Sequence, residues 1–390
     1  MPATPVSVVQ LSTGHIGGAG LAARRLHEQL AVNGIVSEFY CIQRENYKSS
    51  HNEFSIQRKS SAKILSKIAI YLNEKLTSRT HFSVFSTNAT SLNFFRKLSL
   101  QKKRVLHFHN WQNLISQRNL IKLIKDGYPI VITIHDERIT TGGCHYRLDC
   151  KKNLGGCQSC PRTSKLLNYR IKQNRLHFLR INLAEYPNFR IISPSEWLQN
   201  CAKTSLTIGS DQIINILNPL GPNWNPEKYS FSLKSQNAAK IKIGIATMSD
   251  SFVKYGDLLQ ELISDSEFQR DYEILYLRDF NDSENKLSNF WQEIDILLSL
   301  SRADNSPNSI LEARSLQIPI LSSNIGGIPE LLGEFDVALD DKDHTVDLIL
   351  KNISQLTMNL RQTQISEPIQ HNKSTLSFEK IYELVLKNTN

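Results

Sequence analysis

The chain has 390 residues, too many for one ordinary hydrophobic core and enough for two domains of average size. Hydrophobic residues make up 40% and charged residues 21%, which excludes a disordered chain, and no stretch reaches the ~20 uninterrupted apolar residues of a membrane span. The formal charge of +9 suits an anionic partner such as a phosphorylated substrate, a membrane surface or a nucleic acid, or else serves solubility alone.

In chain order, Val6 to Leu11 is an apolar run without the basic start of a signal peptide, so a cytoplasmic protein is expected. It reads as a strand, followed by the glycine-rich turn Gly17-Gly18-Ala19-Gly20 and a helix over Leu21 to Val32, the opening of a βαβ unit. Ser37 to Gln43 reads as the next strand. Arg58 to Leu76 has Ile64, Ile68 and Leu72 on one helical face with Lys63, Lys67 and Lys75 around it. That pattern fits either a surface helix packed on its own sheet or a helix lying on an anionic membrane, with Arg96 to Arg104 adding further basic charge. Val105 to Phe108, Ile130 to Ile134 and Arg190 to Ser193 have the brevity of buried parallel strands, and helices are expected over Leu114 to Lys125 and from Glu196 to Lys203.

The Pro-, Gly- and Asn-rich stretch Asn218 to Pro226 reads as a linker. Five more strands follow, at Lys242 to Thr247, Tyr272 to Leu277, Ile294 to Leu300, Pro319 to Ser322 and Phe335 to Leu339. Helices are expected at Asp257 to Ile263 and Ser309 to Ser315, and a last one at Ser377 to Lys387 with Phe378, Ile381, Tyr382 and Leu384 as its apolar side. The expected architecture is α/β: a Rossmann-like domain over residues 1–217 with a Cys-rich insert at 141–161, a second over 218–375 opening with the linker 218–226, and a terminal helix over 376–390 packing back toward the first.

The segment from Ser301 to Glu330 is the richest in chemistry. Asp304 and Glu312 flank a polar loop, Asn305, Ser306, Pro307, which follows an apolar strand and enters a helix near Asn308 and Ser309. Free N–H groups and the positive dipole at such a helix start suit a diphosphate. Glu312, about one turn in, is placed to accept hydrogen bonds from a ribose diol, and Asp304 to hold sugar hydroxyls. Gly326-Gly327 permit close backbone approach at the next turn.

This register, an acidic residue, seven residues, Glu, then Leu311-Glu312-Ala313, a strand, Gly326-Gly327 and Glu330, resembles the family 4 glycosyltransferases. The strand ends Val105-Leu106-His107-Phe108-His109-Asn110 and Val131-Ile132-Thr133-Ile134-His135-Asp136 resemble the same family, closest to its bacterial members that build exopolysaccharide of the colanic-acid type. The resemblance implies the GT-B fold, two Rossmann-like domains facing across a cleft. It also implies a nucleotide-diphosphate sugar donor, hexosyl transfer with retention, and a glycan or polyprenyl-diphosphate-linked acceptor in cell-surface polysaccharide or lipopolysaccharide biosynthesis. An enzyme of that type is expected in the cytoplasm, peripheral on the inner face of the plasma membrane, with neither a nucleic-acid partner nor a catalytic metal. His135 would touch a hydroxyl of the reacting sugar, and Gly17 and Gly18 would match the N-terminal glycine loop near the donor phosphates and the acceptor.

The chain departs from the family pattern where an Arg and a Lys usually meet the diphosphate. Tyr255 stands before Gly256, the Arg is missing, and Lys254 is the cation left to substitute. The span from Gly256 to Ile294 is also short, and the two departures together leave open a weakly active or inactive sugar-nucleotide-binding protein on the same fold. Finally, Cys144, Cys150, Cys157 and Cys160 have the numbers, though not a regular spacing, for a structural zinc site; His145 is an alternative ligand, and uncoordinated thiols or disulfides are the other readings.

Overall fold

A computed structural model describes residues 6–42, 52–56, 90–100, 102–141, 143–148, 150–151, 181–226, 240–247, 252–280, 286–340, 344–360 and 373–389, with positions 64, 67, 68, 71, 72, 160 and 178. The chain divides into two compact units, Met1–Pro222 with Asn372–Asn390, and Asn223–His371. The division falls inside the Pro-, Gly- and Asn-rich stretch, where chain stiffness and missing N–H donors interrupt both helix and sheet.

The first unit is built on seven strands: β1 (Ser7–Ser12), β2 (Val36–Ile42), β3 (Glu53–Ile56), β4 (Val105–Asn110), β5 (Ile130–Thr133), β6 (Phe189–Ser193) and β7 (Ile213–Asn215). They lie in the order β3-β2-β1-β4-β5-β6-β7, and every pairing is parallel. Helices α1 (Gly18–Val32), α2 (Leu92–Leu98), α3 (Gln117–Lys125) and α4 (Glu196–Ser205) belong to the same unit. Because both faces are covered, the strands read as continuous apolar runs rather than alternating ones, and β5 and β6 are buried at every position.

Helix α3 begins later than the sequence pattern suggests. Ser116 is its N-cap and accepts from the Asn119 N–H at 3.2 Å, so Leu114 and Ile115 sit in the preceding turn although both are buried.

In the second unit the strands are β8 (Ile241–Ile245), β9 (Tyr272–Tyr276), β10 (Ile296–Ser299), β11 (Ile320–Ser323) and β12 (Val337–Leu339), ordered β12-β11-β10-β8-β9 and again all parallel. Its helices are α5 (Gly256–Ser264), α6 (Ser266–Asp271), α7 (Lys286–Glu293), α8 (Asn308–Ser315) and α9 (Val346–Leu360). Leu258, Leu259 and Leu262 of α5 and Ile349, Leu350, Ile353 and Leu356 of α9 close over Ile243, Ile296, Leu298 and Leu321 of the sheet.

The last helix, α10 (Lys373–Lys387), returns to the first unit. Phe378, Ile381, Tyr382 and Val385 form its buried stripe against Val8, Leu26, Val105, Val131 and Ile192. Leu384, expected on that side, is instead 41% exposed. At about 100° per residue, position 385 continues the row through 378, 381 and 382, whereas 384 is turned well away from it.

Candidate functional site

In each sheet the strand order reverses once, between β1 and β4 in the first unit and between β8 and β10 in the second. Loops leaving the carboxyl ends on either side of such a switch point diverge and open a crevice there. Of the residues singled out from the sequence, Gly17, Gly18, Lys254 and Asp304 follow strands at these switch points.

In the second unit, Lys254 lies before α5, after the carboxyl end of β8, and Asp304 follows β10. Lys254 Nζ pairs with Asp304 Oδ2 and donates to Ser301 Oγ at 2.9 Å. Asp304 Oδ1 accepts from the Asn305 N–H at 2.8 Å, so each of its oxygens has a donor. Asn305 and Ser306 are buried, while Asn308 and Ser309 are half-buried at the start of α8. No side chain caps that start, because Pro307 holds the N-cap position. Glu312 lies in the middle of α8 and is 3% exposed.

Gly326 and Gly327 close the loop after β11. Gly326 has a φ of +61°, and a Cβ there would lie inside contact distance of the Asp304 carbonyl oxygen and 3.1 Å from its carbon. The Gly327 N–H donates to that same carbonyl at 3.3 Å. A side chain at 326 is therefore excluded both by conformation and by space. Glu330 sits in the 3₁₀ turn Pro329–Leu331 and is exposed.

Tyr255, the departure from the family pattern, is buried in the left-handed conformation with a φ of +50° at the N-cap of α5. Its ring stacks on His344 at 4.4 Å, and the Arg302 guanidinium lies 3.9 Å from its centroid while binding Asp257 through two hydrogen bonds of 3.0 and 2.8 Å. The sequence reading missed Arg302, which puts a cation two positions before Asp304.

In the first unit, Gly17 has a φ of +79° and Gly18 begins α1; both are exposed, and a Cβ at either would meet open space. The steric requirement falls instead on Gly20, where a Cβ would come within 2.5 Å of the Gly14 carbonyl oxygen. His135 and Asp136 follow β5, beside His109 and Asn110 at the end of β4. His135 Nε2 and His109 Nδ1 are 3.3 Å apart. Burial lowers the pKa of His135 to about 4 and drives His107 and His109 well below the ordinary histidine value.

Burial pushes the Asp136 carboxyl up, but the Arg138 and His145 charges and the Arg138 hydrogen bonds outweigh it, so the group stays below the usual range. Arg138 binds both Asp136 oxygens at 2.9 and 2.8 Å and reaches Gln112 Oε1 and Asn110 Oδ1, tying the ends of β4 and β5 together.

Cys144 is buried and Cys150 and Cys160 are half-buried, all present as thiols, while Cys157 lies outside the described residues. Among the described residues no group of three or more His, Cys, Asp or Glu side chains is gathered to hold a metal ion. Also among them, no helix is long and apolar enough to cross a membrane. Most of the expected helix over 58–76 is outside the described residues; positions 64, 67, 68, 71 and 72 are helical, and Ile64, Lys67, Ile68 and Tyr71 are exposed.

Two parallel, doubly wound units in one chain make up the α/β fold of the GT-B glycosyltransferases. A solved glycosyltransferase from Rickettsia africae superimposes with a TM-score of 0.52 at 13% identity, covering 99% of this chain and 94% of that one. HepE from Anabaena, solved with UDP and glucose, superimposes with a TM-score of 0.54 at 11% identity, covering 98% of each chain. In sequence, the chain is 24% identical to a putative colanic acid biosynthesis glycosyl transferase, WcaC, of Escherichia coli K12, over 94% of this chain and 95% of the relative. No family model matches.

Proposed function

We propose that the chain is a retaining glycosyltransferase of the family 4 type, which takes a hexose from a nucleotide-diphosphate sugar and passes it to a glycan or polyprenyl-diphosphate-linked acceptor in exopolysaccharide or lipopolysaccharide biosynthesis. One observation carries the reading: Lys254, Asp304, the start of α8 without a side-chain cap and the close turn at Gly326 all belong to loops at the carboxyl edge of one sheet. The relatives agree with it, since WcaC is named for colanic acid biosynthesis and HepE was solved with a nucleotide and a sugar.

In this reading the diphosphate lies at the start of α8, where the helix dipole and the first-turn amides of Asn308 and Ser309 stabilise the charge that develops as the glycosidic bond breaks. Lys254 is the accompanying cation. Glu312 accepts from the ribose hydroxyls, Asp304 with Asn305 and Ser306 holds the sugar, and Gly326, Gly327 and Glu330 complete the same pocket. On the first unit, Gly17 and Gly18 are assigned to phosphate and acceptor binding and His135 to a sugar hydroxyl. Glu312→Gln is the test: transfer from UDP-, GDP- or dTDP-sugars should collapse while the fold survives. Unchanged transfer by a folded Glu312→Gln protein would refute this assignment.

A second reading is favoured by one feature, the engagement of Lys254 with Asp304 next to a buried Tyr255 where the family has a cation. On that reading the protein binds sugar nucleotides but turns them over weakly, and wild-type protein would show binding without measurable transfer.

Two further assignments rest on this proposal. A peripheral position on the cytoplasmic face of an anionic membrane is supported by exposed Ile64, Ile68 and Tyr71 beside Lys67 on helical backbone. A structural zinc at Cys144, Cys150, Cys157 and Cys160 is supported by their number and closeness in sequence alone, and metal analysis decides it.

A further inference from the structure

A continuous line of hydrogen bonds runs through the interior of the first unit and ends on His135. Thr133 Oγ1 meets His107 Nε2 at 2.7 Å, and His107 Nδ1 meets the Tyr382 hydroxyl at 2.7 Å. Tyr382 is on α10, and its oxygen accepts from Gln10 Nε2 at 3.1 Å across 372 positions of sequence. Gln10 Oε1 meets His109 Nε2 at 2.7 Å, and His109 Nδ1 meets His135 Nε2 at 3.3 Å. Gln10, His107 and Tyr382 are 0% exposed and His109 3%, so water does not compete for the bonds among them.

The orientation of the Gln10 amide, Oε1 toward His109 and Nε2 toward Tyr382, sets the polarity of the line. A carboxamide oxygen only accepts and its nitrogen only donates. His109 Nε2 must therefore carry the proton that Gln10 Oε1 accepts. A neutral His109 then has its lone pair on Nδ1, and His135 must donate to it from Nε2. In the other direction the Gln10 amide N–H donates to Tyr382, the Tyr382 proton goes to His107 Nδ1, and His107 Nε2–H donates to Thr133. Burial keeps all three rings neutral at pH 7, so each carries a single ring proton.

We propose that Gln10 and Tyr382 are positioning residues that hold His135 as its Nε2–H tautomer, so that Nδ1 is presented as an acceptor to a sugar hydroxyl. The hydroxyl half of this rests on the glycosyltransferase reading; the tautomer half does not. Nδ1 takes part in no hydrogen bond among the described residues. The opposite tautomer would present a donor at the same place, and a mixture would halve the fraction of competent protein. The ligand this selects is a sugar with a free hydroxyl at the contact, and its deoxy analogue leaves the lone pair unmet.

Long-range ¹⁵N–¹H NMR of the full chain labelled at histidine reads each tautomer directly, with His135 and His109 assigned from their Gln variants. In the wild type at pH 7 both should be protonated on Nε2 alone. Tyr382→Phe removes the acceptor for the Gln10 amide, lets that amide turn over and divides His135 between tautomers. Sugar transfer should then fall in proportion, about twofold for an equal mixture. Phe378→Leu, which loosens the same helix without touching a polar atom of the line, should leave the His135 signal unchanged. His135 protonated on Nδ1 in the wild type overturns the inference, as does an unaltered His135 spectrum in folded Tyr382→Phe. Wild-type protein with the expected spectrum that binds no sugar nucleotide overturns the hydroxyl half together with the functional reading beneath it.

Discussion

Gly326→Ala tests how the loop after β11 supports Asp304. The substitution forces an alanine into a φ of +61° and drives its Cβ into the Asp304 carbonyl oxygen, with the carbonyl carbon only 3.1 Å away. A left-handed conformation costs a non-glycine residue roughly 1–2 kcal/mol. Relieving an overpacked contact costs about 1–3 kcal/mol more. The clash is with backbone, so relieving it shifts the turn against Asp304, whose carbonyl also accepts the Gly327 N–H at 3.3 Å. The expected loss is therefore about 2–5 kcal/mol in urea or guanidinium unfolding. Since misplacing a reacting group by ~1 Å costs on the order of 100-fold, transfer should fall by about that factor in whatever fraction stays folded. Gly18→Ala is the control, because a Cβ there meets nothing within 4 Å. A Gly326→Ala protein as stable as Gly18→Ala and as active as the wild type would refute the reasoning.

Stability should fall with acid through the histidines of the first unit. The folded pKa of His135 is lowered to about 4 from an ordinary 6.5, so between those values the unfolded chain binds a proton that the native state refuses. Its contribution to unfolding free energy thus drops by about 1.4 kcal/mol per pH unit as pH falls from 6.5 toward 4, and is flat above 6.5. His135→Gln should flatten that slope in denaturant titrations across this range; an identical slope would contradict the half-buried neutral ring. Tyr382→Ala removes a ring from the buried stripe of α10 and should cost about 3–5 kcal/mol by the same measurement, against less than 1 kcal/mol for exposed Leu384→Ala. Ile64→Ser with Ile68→Ser should reduce flotation with vesicles of anionic lipid and leave soluble-substrate transfer intact; undiminished flotation would remove that helix from the membrane assignment. Elemental analysis of the purified chain should find about one zinc per molecule, lost in Cys144→Ser with Cys160→Ser, and a metal-free protein of full stability would contradict the zinc assignment.

The sheets were largely legible because buried parallel strands write themselves as short apolar runs. The five expected in the second unit correspond to β8 through β12 within a few residues at each end. Strands β3 and β7, of four and three residues, carry too little pattern to separate from loops, and helices α2, α6, α7 and α9 passed unmarked. The slip at Leu384 came from reading hydrophobicity without the helical angle, and the slip at the start of α3 from overlooking Ser116 as a cap.

The same contrast holds for the candidate site. Asp304, Gly326 and Gly327 were legible because they lie within one thirty-residue segment, Ser301 to Glu330. The line from Thr133 to His135 was not, since it joins β1, β4, β5 and α10, and one of its bonds spans 372 positions. A local signal for it did exist: Gln10 is a lone polar residue inside the buried run of β1, and a buried amide needs partners for both its ends. Gly20 was likewise passed over for the more conspicuous Gly17-Gly18 pair, because close approach to Gly14 becomes visible only once the chain is folded.

The central claim is that the loops at the carboxyl edge of the second sheet hold a nucleotide-diphosphate sugar through Glu312, Asp304 and the start of α8. Thermal unfolding of the full chain against UDP-, GDP- and dTDP-sugars measures this most directly, because a ligand at 100 times its Kd that binds only the native state stabilises by about 2.7 kcal/mol. The account predicts a raised midpoint with at least one of them in the wild type, and no shift in folded Glu312→Gln. No shift with any sugar nucleotide, or an equal shift in the variant, would contradict it.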